Sequence, residues 1–279
     1  MIDSEAMVET RVKTLTHRLT IGALWTILTP LLILPIVAIF VFAGRGGWSS
    51  FAATLRLPDA QFALRMSIWI ALWTSLTNAI VGTFTAYVLS KHRFAGRGPL
   101  TILVNLPVAI PTVVMGTSLI LLWGPIGLLG RFLVPLGFAP VFAPFGVFLA
   151  HVLVTFPYML GAVKPVLDEL EVTYEEAAYT MGAGRFRTFV HVILPALKGG
   201  LFSGTLLTFA HSLGEFGATA MVSGNLRMKT QTAPLFIFAQ FEAGQIETAN
   251  AVAAVLAVLS FSIFLFLLRF TRNPAREGA

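Results

Sequence analysis

Six long apolar runs separated by shorter polar segments make up most of the chain. The runs cover residues 19–43, 62–90, 100–123, 145–163, 199–222 and 246–269. A helix of about 20 apolar residues crosses the hydrocarbon core of a bilayer, and each run is close to or above that length. The pattern therefore predicts an all-α membrane protein with six transmembrane helices.

The polar segments divide the chain into one membrane domain, residues 19–270, and two tails, residues 1–18 and 271–279. The first run is too long for the apolar core of a signal peptide and lacks a convincing cleavage site, so we expect it to be retained as a span. Three further segments are predicted to be loops: residues 44–59, 124–144 and 223–244. No internal repeat and no boundary to a soluble domain stands out.

The third run carries two prolines four residues apart, Pro107 and Pro111. Proline removes a backbone donor and leaves a carbonyl that lipid cannot satisfy. This run is therefore predicted to be kinked and packed inside the bundle.

Composition narrows the class of protein further. Hydrophobic residues make up 56% of the chain and charged residues only 11%, which excludes an ordinary soluble protein. The net charge is +6, but the basic residues are scattered between the apolar runs, so nucleic acid is not expected as a partner. The chain has no cysteine, which excludes disulfides and Cys-based metal sites.

The distribution of the basic residues predicts the orientation in the membrane. Thirteen of the 19 Lys and Arg residues lie in the two tails, at the end of the sixth run beside the second tail, in a basic turn that starts at Lys91, and in the polar segment 164–198. Cytoplasmic loops carry an excess of Lys and Arg. Both termini and the segment 164–198 are therefore predicted to be cytoplasmic.

That segment, residues 164–198, is the longest polar stretch between apolar runs. Thr173 and Glu176 have the spacing of a capping box that starts a short helix, and Gly182 and Gly184 are typical of the turn that ends it. A second short helix then leads to Pro195. The pattern predicts a helix, a glycine turn and a helix whose small residues another protein could accept closely. An ordinary solvated loop is the alternative.

The spacing inside this segment resembles the EAA loop of ABC importer permeases. The matching residues, together with Glu175 before them, are Glu176, Ala177, Ala178, Gly182, Val192, Leu194 and Pro195, where the family usually has isoleucine at the position of Val192. The resemblance implies a type I permease fold whose cytoplasmic coupling helix docks on a separate ATPase. It also implies that ATP and Mg²⁺ bind to that ATPase, with no cofactor on this chain.

Further segments resemble the sulfate and molybdate branch of these permeases, and within it the sulfate/thiosulfate permeases. They are residues 106–111, 174–178, 213–218, 223–225 and 229–234. The resemblance implies import of a tetrahedral oxyanion across a bacterial inner membrane. The implied partners are ATPase subunits, a second permease that is identical or a sister chain, and an extracytoplasmic oxyanion-binding protein. Molybdate or tungstate is the alternative cargo.

The fifth run contains His211 and Glu215, which are four residues apart and would share one face of a helix. Ionisable groups in a span face the bundle interior or a water-filled path, so we expect a gate, a permeation route or a buried pair that holds helices together. Many relatives have arginine where this chain has His211. The candidates for the path or gate are Pro107, Pro111, His211, Ser212, Gly214, Glu215, Thr219 and Asn225.

Two other classes of function are possible in principle. An ion-coupled secondary transporter would use His211 and Glu215 as a proton relay, but it predicts a repeat that the chain lacks and leaves the EAA-like segment unexplained. An intramembrane enzyme would need a nucleophile and a base on facing spans, and no such pairing stands out. The other histidines are isolated in the sequence, so no metal site, catalytic residue or phosphate-binding loop is predicted.

Overall fold

The structure is a computed structural model that describes the backbone of residues 2–271 and the side chains of His17 and residues 20–269. Most of the predicted tail 271–279, and nearly all side chains of the predicted tail 1–18, lie outside the described residues. Every regular element of the described part is a helix, as the apolar pattern predicts.

The helices follow one another with short connections. They are α1 Ile2–Gly44, α2 Gly47–Arg56, α3 Pro58–Lys91, α4 Arg97–Ala109, α5 Thr112–Trp123, α6 Gly130–Leu133, α7 Pro144–Glu169, α8 Val172–Thr180, α9 Arg185–Thr188, α10 Leu194–Ala196, α11 Lys198–Leu213, α12 Gly217–Ser223, α13 Ala233–Glu242 and α14 Ile246–Thr271. A 3₁₀ turn, Val134–Leu136, follows α6, and a π-helical turn, Phe189–Ile193, connects α9 to α10.

Four helices in the described residues are each long and apolar enough to cross a membrane. These spans are Thr20–Gly44, Pro58–Lys91, Pro144–Glu169 and Ile246–Arg269. Two bent pairs, Arg97–Ala109 with Thr112–Trp123 and Arg185–Ala196 with Lys198–Leu213, bring the number to six if each pair is one span. The six apolar runs are compatible with this arrangement.

The third run is broken at its prolines, and the chain bends by 117° between α4 and α5. Ile110, which precedes Pro111, has the extended backbone that a following proline favours, so α4 ends there and α5 starts at Thr112. The predicted kink is confirmed as a break. The prediction that the run packs inside the bundle holds only in part, because Pro107 is buried whereas Val108 and Pro111 are exposed in the single chain.

The loops predicted at residues 44–59 and 223–244 contain helices. The first forms α2, and the second forms α13, whose first turn holds Pro234 and whose buried residues include Leu235 and Phe236. Proline suits the first turn of a helix, since the backbone donor that it lacks would have no partner there. The loop prediction was therefore wrong for both segments.

The core lies where α3, α7 and α11 pack together. A Cβ atom at Gly200 would lie 2.8 Å from the carbonyl oxygen of Ala162, and one at Gly204 would lie 2.5 Å from Sδ of Met159. Such distances leave no room for a side chain, so these glycines let α11 approach α7 closely. The small residues at the start of the fifth run thus permit the close contact between α11 and α7.

Candidate coupling loop and translocation path

The EAA-like segment forms α8 and the short helices that follow it. Helix α8 begins at Val172, two residues earlier than the predicted capping box requires, and Glu171 precedes it without a side-chain cap. Thr173 lies inside the helix, and a residue with helical backbone does not act as the N-cap. The capping box is therefore not formed, although the predicted helix is present.

Gly182 ends α8 in a left-handed conformation, with φ of +81°. The N–H of Ala183 donates to the carbonyl of Ala178, and the N–H of Gly182 donates to the carbonyl of Tyr179. These two bonds form a Schellman motif, which satisfies the last carbonyls of the helix. The glycine turn is thus present where the spacing predicts it.

The four motif residues on α8, residues 175–178, lie on two different faces of the helix. Glu175 and Ala178 are buried, whereas Glu176 and Ala177 are exposed. The Glu175 carboxylate forms an ion pair of 2.7 Å with Nζ of Lys91, the last residue of α3. The buried pair therefore fixes the orientation of α8, and the exposed pair is available to a partner.

Large apolar side chains surround the exposed motif residues. We call this group the apolar loop surface, and its members are Val172, Tyr174, Tyr179, Met181 and Phe186. Met181 and Phe186 are 82% and 81% exposed. Exposed apolar groups rimmed by polar residues are typical of protein interaction sites. The arrangement suits the docking of another protein more than a solvated connection.

The returning part of the loop joins the core. Ile193 and Leu197 are buried in a cluster with Leu160 and Val163 of α7, and the ring of Phe189 packs edge-on against Tyr87 of α3 at 5.4 Å. The motif residues Val192 and Leu194 are half-buried, and Pro195 is exposed. The sequence reasoning missed Ile193, Leu197 and Lys91, because apolar neighbours of a motif and a charge at a helix end carry no spacing signal.

The predicted pair in the fifth run is not formed. Helix α11 ends at Leu213 with Gly214 as its cap, so Glu215 lies in a break before α12 and does not share a helix face with His211. Glu215 is buried and accepts a hydrogen bond of 2.9 Å from the N–H of Ala218 in the first turn of α12. His211 is exposed and stacks on Tyr158 of α7, with the ring centroids 3.8 Å apart.

Ser212 and Thr219 face a histidine that the sequence reasoning set aside as isolated. His151 of α7 is buried, and hydrogen bonds of 2.7 Å and 2.8 Å join its ring nitrogens to the hydroxyls of Ser212 and Thr219. Polar groups buried among apolar helices need such partners. These two path candidates therefore connect α7, α11 and α12 in this conformation. A single histidine among apolar residues gives no signal of its partners in the sequence.

The last path candidate, Asn225, lies in the turn between α12 and α13. Its backbone is left-handed, with φ of +48°, and its side-chain oxygen accepts a hydrogen bond of 2.9 Å from Gln231. Arg227 of the same turn pairs with Asp59 at the start of α3. The turn is therefore held in one conformation at the end of α3 opposite to Lys91.

No cluster of three or more potential metal ligands occurs in the part of the chain that the structure describes. Most of the functional candidates thus fall into two groups, the EAA-like loop at one end of α3 and the residues around α12.

A family of membrane transport proteins matches most of the chain. Residues 78–274 match the family described as binding-protein-dependent transport system inner membrane component. The matched region includes both α8 and the residues around α12.

Curated relatives match over most of the chain. The sulfate transport system permease protein CysT of Salmonella typhimurium is 33% identical over 259 residues, which are 91% of this chain and 94% of the relative. The permease protein CysW of the same kind of system in Synechocystis is 37% identical over 229 residues, or 82% of this chain and 83% of the relative.

Solved structures of ABC importers share the fold. A chain of a bacterial ABC transporter that imports the acidic polysaccharide alginate superposes with a TM-score of 0.75, at 16% identity and over 95% of this chain and 98% of its own. A chain of the MetNI methionine ABC transporter superposes with a TM-score of 0.52, at 16% identity and over 76% and 98%. The chain therefore belongs to the inner-membrane component family of binding-protein-dependent transport systems, the ABC importer permeases, in the branch that contains the CysT and CysW proteins.

Proposed function

We propose that this chain is the membrane-spanning subunit of an ATP-driven importer of sulfate or thiosulfate. As a permease, it is a transport subunit and not an enzyme. The observation that carries the proposal is the apolar loop surface, which projects from a loop that the ion pair between Glu175 and Lys91 ties to the end of α3. A surface fixed in this way can transmit the movement of a bound partner to the membrane helices, whereas a flexible loop would move without displacing them.

The partner at this surface is the ATPase of the transporter. The sequence contains no phosphate-binding loop, so ATP and Mg²⁺ bind to that subunit. Glu176 and Ala177 lie beside the apolar loop surface and are free to enter a groove of the ATPase. With the ATPase in the cytoplasm, α8 and both termini lie on the cytoplasmic side, as the distribution of Lys and Arg favours.

The route for the anion forms between two permease subunits. An isolated dianion is costly to bury, so neutral hydrogen-bond donors suit the route better than apolar walls do. His211 and its stacking partner Tyr158 present such groups on a face of α11 and α7 that remains exposed in the single chain. A histidine facing lipid would be unfavourable, which is why we assign this face to the route.

The cargo assignment follows the curated relatives, whose names specify sulfate transport. An extracytoplasmic binding protein delivers the anion and selects between sulfate, thiosulfate and the alternatives molybdate and tungstate. The second permease is an identical or a sister chain.

Reconstitution tests the proposal. The complex is purified from the native membrane, placed in proteoliposomes loaded with ATP and Mg²⁺, and supplied from outside with binding protein and labelled sulfate. We expect import that requires ATP, survives a protonophore and is inhibited by unlabelled thiosulfate. Import driven by a proton gradient without ATP would contradict the proposal. Import of molybdate but not sulfate would change the cargo and leave the mechanism intact.

A further inference from the structure

We infer that Lys91 is a positioning residue that transmits movement of α8 to the transmembrane helices α3 and α7. The inference rests on the proposed function and adds to it a residue through which the coupling acts. Neither the EAA-like spacing nor the path candidates include this lysine.

Lys91 connects three elements through one ammonium group. It is the last residue of α3, and its Nζ lies 2.7 Å from Oε1 of Glu175 on α8. The same Nζ donates a hydrogen bond of 3.3 Å to the carbonyl of Leu170, which caps the end of α7. A displacement of α8 therefore acts directly on the ends of both membrane helices.

The environment makes this contact stronger than an ordinary surface ion pair. The side chains of Lys91 and Glu175 are only 13% and 11% exposed, so water screens the pair weakly. Lys91 Nζ also lies at the carboxyl end of α7, beside the C-cap residue Leu170, where a cation interacts favourably with the helix dipole. Loss of either partner would leave the other charge uncompensated in a poorly solvated place.

The position of the pair also distinguishes it from the other ion pairs of the described residues. Lys164 and Asp168 pair within one helix, α7, and Arg227 and Asp59 pair at the opposite end of α3. Neither of these contacts reaches α8 or the short helices that follow it. Lys91 thus provides a charged connection between α8 and the helices that form the core.

The experiment compares complexes that carry Lys91→Met, Lys91→Arg and Glu175→Gln in the proteoliposome assay described above. The measured quantity is the amount of sulfate imported per ATP hydrolysed, which does not change if a variant merely reduces the amount of folded complex. For Lys91→Met we expect hydrolysis to persist and the ratio to fall at least about tenfold. Lys91→Arg should retain most of the ratio, because it keeps the charge. Glu175→Gln should lower the ratio as much as Lys91→Met does. The double variant, Lys91→Met with Glu175→Gln, should have a ratio no lower than that of either single variant.

Lys164→Met is the matched control, because it removes a lysine that pairs within α7 alone. Its ratio should stay within about twofold of the wild type, as expected for an exposed pair. If the complex with Lys91→Met does not assemble, the ratio measured for Glu175→Gln tests the inference, since glutamine keeps the shape of the side chain. Unchanged ratios in both variants, or an equal loss in Lys164→Met, overturn the inference. Failure of the wild-type complex to import sulfate overturns the proposed function instead.

Discussion

Gly182 is the residue on which the shape of the EAA-like loop depends most directly. Its φ of +81° places it in the left-handed region, and no neighbouring atom lies near the position where a Cβ would stand. Substitution there introduces backbone strain without a steric clash. The cost of the left-handed backbone is about 1–2 kcal/mol for an L-residue and is largest for β-branched side chains.

We therefore expect Gly182→Val to open the turn after α8, to weaken ATPase binding and to reduce sulfate uptake several-fold. Gly182→Asn should have a small effect, because asparagine tolerates this conformation. Uptake and copurification of the ATPase measure the outcome. Gly137 is a matched control, since it has φ of +87° and equally open surroundings in a different loop. Normal uptake by Gly182→Val, or an equal loss in Gly137→Val, would contradict a coupling role for the turn.

His151 leads to a prediction about stability. Replacement by phenylalanine leaves the buried hydroxyls of Ser212 and Thr219 without their ring partner. An unsatisfied buried group costs about 1–3 kcal/mol, so His151→Phe should lower the melting temperature of the purified protein. His191→Phe is the control, because His191 is exposed. Equal melting temperatures for the two variants would show that the buried hydrogen bonds contribute little.

At the scale of elements, the apolar runs predicted where helices cross the membrane better than where they break. Pro111 marks the break between α4 and α5, since proline restricts the backbone before it. The sequence pattern did not indicate the break before α12. Gly214 is also compatible with a membrane helix, and Glu215 has a helical spacing from His211. A local hydrogen bond stabilises this break, because the N–H of Ala218 in the first turn of α12 donates to the Glu215 carboxylate.

The contact between α11 and α7 provides a test at this scale. Gly200 lies against the backbone of α7, whereas the neighbouring Gly199 has no atom within 4 Å of the position that a methyl group would take. Gly200→Ala should destabilise the protein by about 1–3 kcal/mol through overpacking. Gly199→Ala should be neutral or slightly stabilising, because alanine is the better helix former. Thermal unfolding of the two purified variants compares them, and equal stability would contradict the close packing of these helices.

At the scale of the whole molecule, the absence of cysteine allows the orientation to be measured without background labelling. Met181→Cys probes the apolar loop surface, and Ile126→Cys probes the loop after α5, where Ile126 is 97% exposed. A membrane-impermeant maleimide should label Ile126→Cys in intact spheroplasts and Met181→Cys only in inverted vesicles. Labelling of Met181→Cys from outside would reverse the proposed orientation and remove the basis for ATPase docking.

Only those parts of the candidate site whose residues are close in the sequence could be predicted. The EAA-like loop was predictable because its residues are close in sequence and follow a fixed spacing. Lys91 and His151 were not, because Lys91 meets Glu175 across 84 positions of the chain and His151 meets Ser212 across 61. Contacts of that kind depend on how the helices pack, which hydrophobic periodicity does not specify.

We expect the apolar loop surface to affect the lifetime of the protein in the cell as well. Met181 and Phe186 are almost fully exposed on a chain that has no ATPase bound. Proteases and chaperones act on exposed apolar segments, so we expect a short half-life for a copy that is inserted before its partner is made. We expect the cellular level of this subunit to follow the supply of its ATPase, and the stoichiometry of the transporter to be set by degradation of unassembled copies.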